Sequence, residues 1–151
     1  MTNLTTTTIT AAEVKNGEYT GSLEIDGHLH IEAGLGFVRF PGFLKVGGRI
    51  WAEAGSGIEA GWGIEAGEGI EAGEGIEAGW GIEAGEGIEA GLGIKCKLVL
   101  SFRKRLFAGV SVYRSTEDEI KTVECGKLDG VICYGDVVET GLPDSSEKAA
   151  A

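Results

Sequence analysis

Glutamate carries most of the potential chemistry in this chain, and it is concentrated in one place. Between Ile50 and Ile94 stand 10 glutamates with no Asp, Lys or Arg. Paired carboxylates can serve as general acid and base, but only where two environments set their pKa values apart. A row of identical outward glutamates is a surface rather than such a pocket, so glycoside hydrolysis is not assigned to it. The other reactive side chains are scattered. Asp26, His28, His30 and Glu32 alternate along one stretch and share a face, a donor set that metals accept. A solvated strand face explains the same pattern without a metal. Cys96, Cys125 and Cys133 have no Cys-x-x-Cys spacing and no paired histidine, and read as small core hydrophobes in a reducing compartment. Arg103-Lys104-Arg105 is the one basic cluster; it is short and reads as a strand end or a salt link to the acidic segment. No catalytic residue, metal or cofactor is expected.

Composition narrows the class. The 151 residues hold 13 Lys+Arg against 24 Asp+Glu, a net charge of -11 that disfavours direct binding to nucleic acid or an anionic membrane. With 42% hydrophobic residues the chain is too apolar for wholesale disorder. No run approaches the length of a membrane helix, and Met1-Thr2-Asn3-Leu4 followed by four threonines lacks a basic, apolar signal, which leads to the expectation of a cytoplasmic protein. Outside Ile50–Ile94 the chain has 13 basic and 14 acidic residues, so one segment owns nearly all of the net charge. Charge asymmetry of this kind points to a partner.

The elements that position these glutamates come from a repeat. From Ala52 the unit Ile-Glu-Ala-Gly-x-Gly runs seven times in phase, with alanine in place of isoleucine in the first copy, and it ends before Ile94. Strand alternation turns isoleucine and alanine to one side and the glutamate between them to the other. Gly-x-Gly then supplies corners tolerant of positive φ, from which x projects into solvent. The x position reads Ser56, Trp62, Glu68, Glu74, Trp80, Glu86, Leu92. Trp62 and Trp80 are 18 residues apart, as are Glu68 and Glu86. Eighteen residues make three hexapeptides, one lap of a triangular coil, which would set Trp62 beneath Trp80. A flexible glycine-rich linker and an antiparallel meander are the competing readings. An earlier copy, Ile31-Glu32-Ala33-Gly34-Leu35-Gly36, is out of phase, so Phe37–Phe43 must re-register the coil.

Over residues 52–94, with a prelude at 23–36, this pattern resembles the hexapeptide-repeat β-helix proteins, although it has two glycines per unit and Trp or Glu where a small residue is usual. The resemblance implies a β-solenoid. Many members of that family are acyltransferases with a loop histidine; His28 and His30 lie outside the repeat, and that activity is not carried over.

The expected fold is therefore all-β, a short triangular β-solenoid of about 18 residues per coil capped by a small antiparallel sheet. Residues 1–50 form N-terminal strands and a first coil, 51–94 the acidic solenoid, 95–140 the antiparallel cap, and 141–151 a disordered tail. In the cap, Cys96, Leu98, Leu100 and Phe102 point inward, with further strands at Leu106–Tyr113, Ile120–Cys125 and Val131–Glu139.

Outward glutamates stacked at strand spacing repel one another. Keeping ten of them without an intervening lysine leads to the expectation that the field itself is used. The leading expectation is a non-enzymatic acidic inhibitor that mimics nucleic acid and binds a basic nucleic-acid-binding protein, such as a nuclease, CRISPR effector, restriction enzyme or topoisomerase. The logic, not the sequence, is similar to that of pentapeptide-repeat gyrase inhibitors. Glu53, Glu59, Glu65, Glu68, Glu71, Glu74, Glu77, Glu83, Glu86 and Glu89 would pair with the partner's basic residues, and Trp62 and Trp80 would anchor it. The alternative is a structural, self-assembling solenoid scaffold or fibre component. A homodimer through the cap or the solenoid end is a further expectation.

Overall fold

A computed structural model describes residues 5–21, 23–109 and 122–141. They form a parallel β-solenoid whose strands visit three sheets in turn. The sheets hold seven, six and eight strands. The first face contains Ile50–Ala52, Ile70–Ala72 and Ile88–Ala90; the second contains Leu44–Val46, Ile64–Ala66 and Ile82–Ala84; the third contains Gly36–Phe40, Ser56–Ala60 and Ile76–Ala78.

Each Ile-Glu-Ala unit from Ile64 to Ala90 is one three-residue strand. Isoleucine and alanine are buried, and the glutamate between them is half-buried or exposed. Identical residues stack in parallel register: Ile64 lies beside Ile82, Ile70 beside Ile88, Ile58 beside Ile76 and Ile76 beside Ile94. Each of these pairs is 18 residues apart, as the x-position period requires. On the N-terminal side the lap is longer, since Leu44 pairs with Ile64 and Ile50 with Ile70, 20 residues away. The rings of Phe37 and Phe43, in the segment that resets the coil, lie over Gly57 and Gly63.

The corners are as regular as the strands. Trp80 N–H donates to the Trp62 carbonyl, Glu86 N–H to that of Glu68, and Leu92 N–H to that of Glu74. Every lap thus supplies partners for the backbone of the next, at the corners as well as on the faces. This close approach is what the glycines serve. A Cβ on Gly67, Gly79 or Gly85 would overlap the carbonyl of Gly47, Gly61 or Gly67 in the preceding coil. On Gly81 or Gly87 it would lie 2.8 Å from a carbonyl of the following coil. The expectation of positive φ in the Gly-x-Gly corners is overturned: no glycine from Gly57 to Gly93 has it. Gly55, at φ 78, does, in the wider corner before Ser56. Ser56 departs from the expected pattern too. It is fully buried, donating its hydroxyl to the Glu32 carbonyl and accepting the Leu35 N–H.

Antiparallel pairing occurs at the opposite end from that expected. Val14–Lys15 runs antiparallel to Glu18–Tyr19 around Asn16-Gly17, both at positive φ, as a tight hairpin demands. The described residues of segment 95–140 instead continue the parallel coil. Leu100 pairs with Ile82, Leu106 with Ile88, Val123 with Ile94, and Leu128 with Leu100. Apolar alternation reports that a strand is half buried and is blind to the direction of its neighbour. The run from Cys96 to Phe102 is two strands broken at a corner, where Lys97 and Leu98 both donate their N–H to the Trp80 carbonyl, so Leu98 is not a core residue. Val131–Glu139 is likewise two strands, Ile132–Tyr134 and Asp136–Glu139. Residues 110–113 and 120–121 of two expected strands, and the expected tail beyond Gly141, lie outside the described residues.

Candidate functional site

Parallel register converts the repeat into three outward columns. On the first face the order is His30, Trp51, Glu71, Glu89, Phe107. On the second it is Glu24, Lys45, Glu65, Glu83, Ser101, Asp129. On the third it is Arg39, Glu59, Glu77, Lys95, Glu124. Like-charged neighbours about 4.8 Å apart therefore come in pairs, one pair in the centre of each face. The ladder of uncompensated carboxylates expected from the repeat is shorter than that. Arg39 and Lys95 close the third column, and Lys95 reaches Glu124 at 3.5 Å; Lys45 closes the second on one side. These cations stand just outside the repeat, 18 or 20 residues from the glutamates they meet, and the 20-residue lap hid two of them from a count at one period.

The x positions form the corners. Glu68 and Glu86 stack between the second and first faces, where Lys104 pairs with Glu86 at 3.4 Å; this is the expected salt link from the basic cluster to the acidic segment. Together with Glu71 and Glu89 they line a bay of about 820 Å³. The bay brings its own cations: Arg49, Lys104 and Arg105 border it, and Arg49 bonds Glu71 at 3.0 Å. Glu74 stands at the next corner, stacked between Ser56 and Leu92.

His28 and His30 do not converge with Asp26 and Glu32. His30 Nε2 lies 2.9 Å from Glu53, and its ring stacks on Trp51 with centroids 4.4 Å apart. His28 Nδ1 accepts the Arg49 N–H and lies 3.4 Å from Glu68. Because Nδ1 already accepts a proton donor, it offers none to the carboxylate, and the buried Oε2 of Glu68 has no hydrogen-bond partner among the described residues. Glu53, expected to face a partner, is thus engaged within the chain. Among the described residues no group of three or more His, Cys, Asp or Glu has the geometry of a metal site.

The third corner is apolar. Trp62 and Trp80 stack face to face, centroids 5.3 Å apart and 7° from parallel, as the 18-residue period requires. They are 52% and 50% exposed, so they do not pack under a flank. Phe43 and Leu98, which the repeat does not contain, flank the same corner and with Trp80 line a groove of about 300 Å³. Their sequence signal was position alone, one lap before and one lap after the tryptophans.

Two of the three cysteines are core residues, as expected. Burial, and next the neighbouring Cys125, push the Cys96 thiol up to about 12; burial also raises that of Cys125. Cys133 is exposed, against expectation, because it is the extra residue of a bulge between Ile132, which pairs with the inward Leu106, and Tyr134, which pairs with the outward Phe107. Among the described residues no helix is long and apolar enough to cross a membrane. Comparison with protein-family models, with curated proteins and with solved structures found no match.

Proposed function

We propose that this chain is a non-enzymatic acidic binding protein that occupies the nucleic-acid groove of a basic partner, a nuclease, CRISPR effector, restriction enzyme or topoisomerase. The observation that carries the reading is the in-register stacking of Glu59 on Glu77, Glu65 on Glu83 and Glu71 on Glu89. Arg49 and Lys95 answer part of the repulsion in these pairs, at Glu71 and Glu77, and a basic groove would relieve the remainder, which is greatest at Glu83. The half-exposed Trp62–Trp80 stack supports the same reading, since aromatic side chains of this kind dominate binding energy where they are desolvated. Glu53 and Glu86, held by His30 and Lys104, contribute less than the central pairs.

The experiment is capture by the immobilised full chain from a bacterial lysate rich in nucleic-acid enzymes, with elution by duplex DNA and then by salt. Release of a basic nucleic-acid-binding protein by DNA supports the proposal. One specific observation favours a second reading, a self-assembling scaffold or a homodimer through the solenoid end. Val137 and Val138 in the last described coil are 38% and 47% exposed, beside strands whose outer edges are unpaired among the described residues. Sedimentation of the purified chain as rods, without any captured partner, would replace the first reading with this one.

A further inference from the structure

The two concavities on the rod differ in what they lack. The acidic bay on the first face already contains Arg49, Lys104 and Arg105, with two of its glutamates in ion pairs. The groove beside the tryptophan corner, on the second face, is lined by Phe43, Trp80, Leu98, Val99, Ser101 and Glu83 and contains no cation among the described residues. Glu83 is exposed and makes no ion pair among the described residues; its column neighbours are Glu65 and Ser101. Charge complementarity alone therefore separates the two: one is filled from within, the other has an unanswered carboxylate between apolar walls.

We propose that this groove binds an arginine side chain of the partner protein. At about 300 Å³ it is at the small end of ligand sites, with room for one long side chain rather than a large molecule. Arginine fits its chemistry best. The aliphatic stem covers Leu98 and Val99, the weakly hydrated guanidinium lies against the Trp80 and Phe43 rings, and its donors reach Glu83 in a fork geometry that lysine lacks. Neighbouring Trp62 holds Trp80 in place by stacking, so the site is formed before the partner arrives. The inference rests on the reading of a basic partner and names the side chain by which that partner would be held.

The test uses the full chain and two probes, a ten-residue alternating Arg-Gly peptide and its Lys-Gly counterpart, with the indole N–H signals of the chain as readout. The Arg-Gly peptide is expected to shift the Trp80 signal and bind at least about fivefold more tightly than Lys-Gly, the ratio equivalent to about 1 kcal/mol of stacking. Trp80→Ala and Glu83→Gln should each weaken it by at least about fivefold, whereas Asp26→Asn and Glu139→Gln, which remove the same charge at exposed positions outside the groove and the glutamate pairs, should not. Trp80 is half exposed, so its removal leaves the core intact, and Glu83→Gln tests the site without touching the walls. Equal binding of both peptides, or equal loss in all four variants, would reveal general charge attraction and overturn the groove. The partner reading is tested apart from this. If the peptide engages the groove while DNA releases no captured protein, the partner reading fails and the groove stands. If a captured enzyme is released equally well from wild type, Trp80→Ala and Glu83→Gln, the groove fails and the partner reading stands.

Discussion

The coils between Ile58 and Ile94 and the coil between Lys127 and Glu139 are wound through the same three sheets, yet they bury their inward residues very differently. Ile58 and Ile76 are fully buried, while Val137, paired with the buried Val123, is 38% exposed, and Leu128 and Ile132 are half-buried. The sheets end at the strands of that last coil among the described residues. Register alone therefore does not make a core position. A solenoid residue is buried by the laps on both sides of it, so stability along the rod is a sum of interfaces rather than of units.

The largest expected contrast is in thiol chemistry. Cys96 ends a fully stacked strand and Cys133 sits in the end coil. The thiolate is the reactive form, and a thiol pushed up to about 12 stays protonated at pH 8. Against an ordinary thiol near 8.5, Cys96 should react about a thousandfold more slowly. Titration with a chromogenic disulfide at pH 8 should find one fast thiol in the native chain, lost in Cys133→Ser, and three in denaturant. A fast Cys96 would mean that the coils open far more readily than their packing implies.

Next in size is the core itself. Ile76→Ala empties a site enclosed on both sides and should cost about 2–5 kcal/mol, whereas Val137→Ala in the end coil should cost under about 1 kcal/mol. Urea unfolding of the two variants measures the difference directly, and equal losses would show that something covers the end coil as fully as a further lap. A smaller effect separates two glycines of one corner column. Gly85→Ala drives a methyl into the Gly67 carbonyl and should cost about 1–3 kcal/mol. Gly69→Ala meets its nearest carbonyl, that of Gly87, at 3.4 Å and should be nearly neutral. If both were equally tolerated, close approach would not be the reason for two glycines per unit.

Much of this was legible in the residues. An isoleucine every sixth position with a tryptophan and glutamate recurrence at 18 favours a triangular coil over a linker or a meander, and the stacked Trp62–Trp80 pair is where that arithmetic leads. The flanks were harder for a physical reason. Lys95–Arg103 has no glycine and Val131–Glu139 has the single Gly135 in place of a Gly-x-Gly corner, so an apolar alternation ran on through turns that the neighbouring lap defines, as at Lys97–Leu98 over Trp80. The surface was harder still. Which cation meets which glutamate depends on lap length, and a 20-residue lap brings Arg39 and Lys45 against Glu59 and Glu65, a match that the hexapeptide period does not announce.

That surface register yields the smallest prediction and the one most specific to the columns. Glu83 has only Glu65 and Ser101 beside it, so Glu83→Gln removes a repulsion and should stabilise the fold by a few tenths of a kcal/mol. Glu71 has the like charge of Glu89 on one side but the Arg49 guanidinium at 3.0 Å, so Glu71→Gln should destabilise by a similar amount. Glu77, between Glu59 and Lys95, should change little. Both partners of the Arg49–Glu71 pair are about half exposed, which keeps each effect under about 1 kcal/mol. The signs matter more than the sizes, and salt supplies the control: at about 1 M the Debye length falls to about 3 Å, and the three variants should converge. Should Glu71→Gln and Glu83→Gln move stability in the same direction at low salt, the local columns would not govern the surface energetics, and the net charge of the whole rod would. If instead Glu83→Gln is more stable yet binds the arginine peptide less well, the carboxylate is retained at a cost to the fold, as expected of a residue that serves a partner.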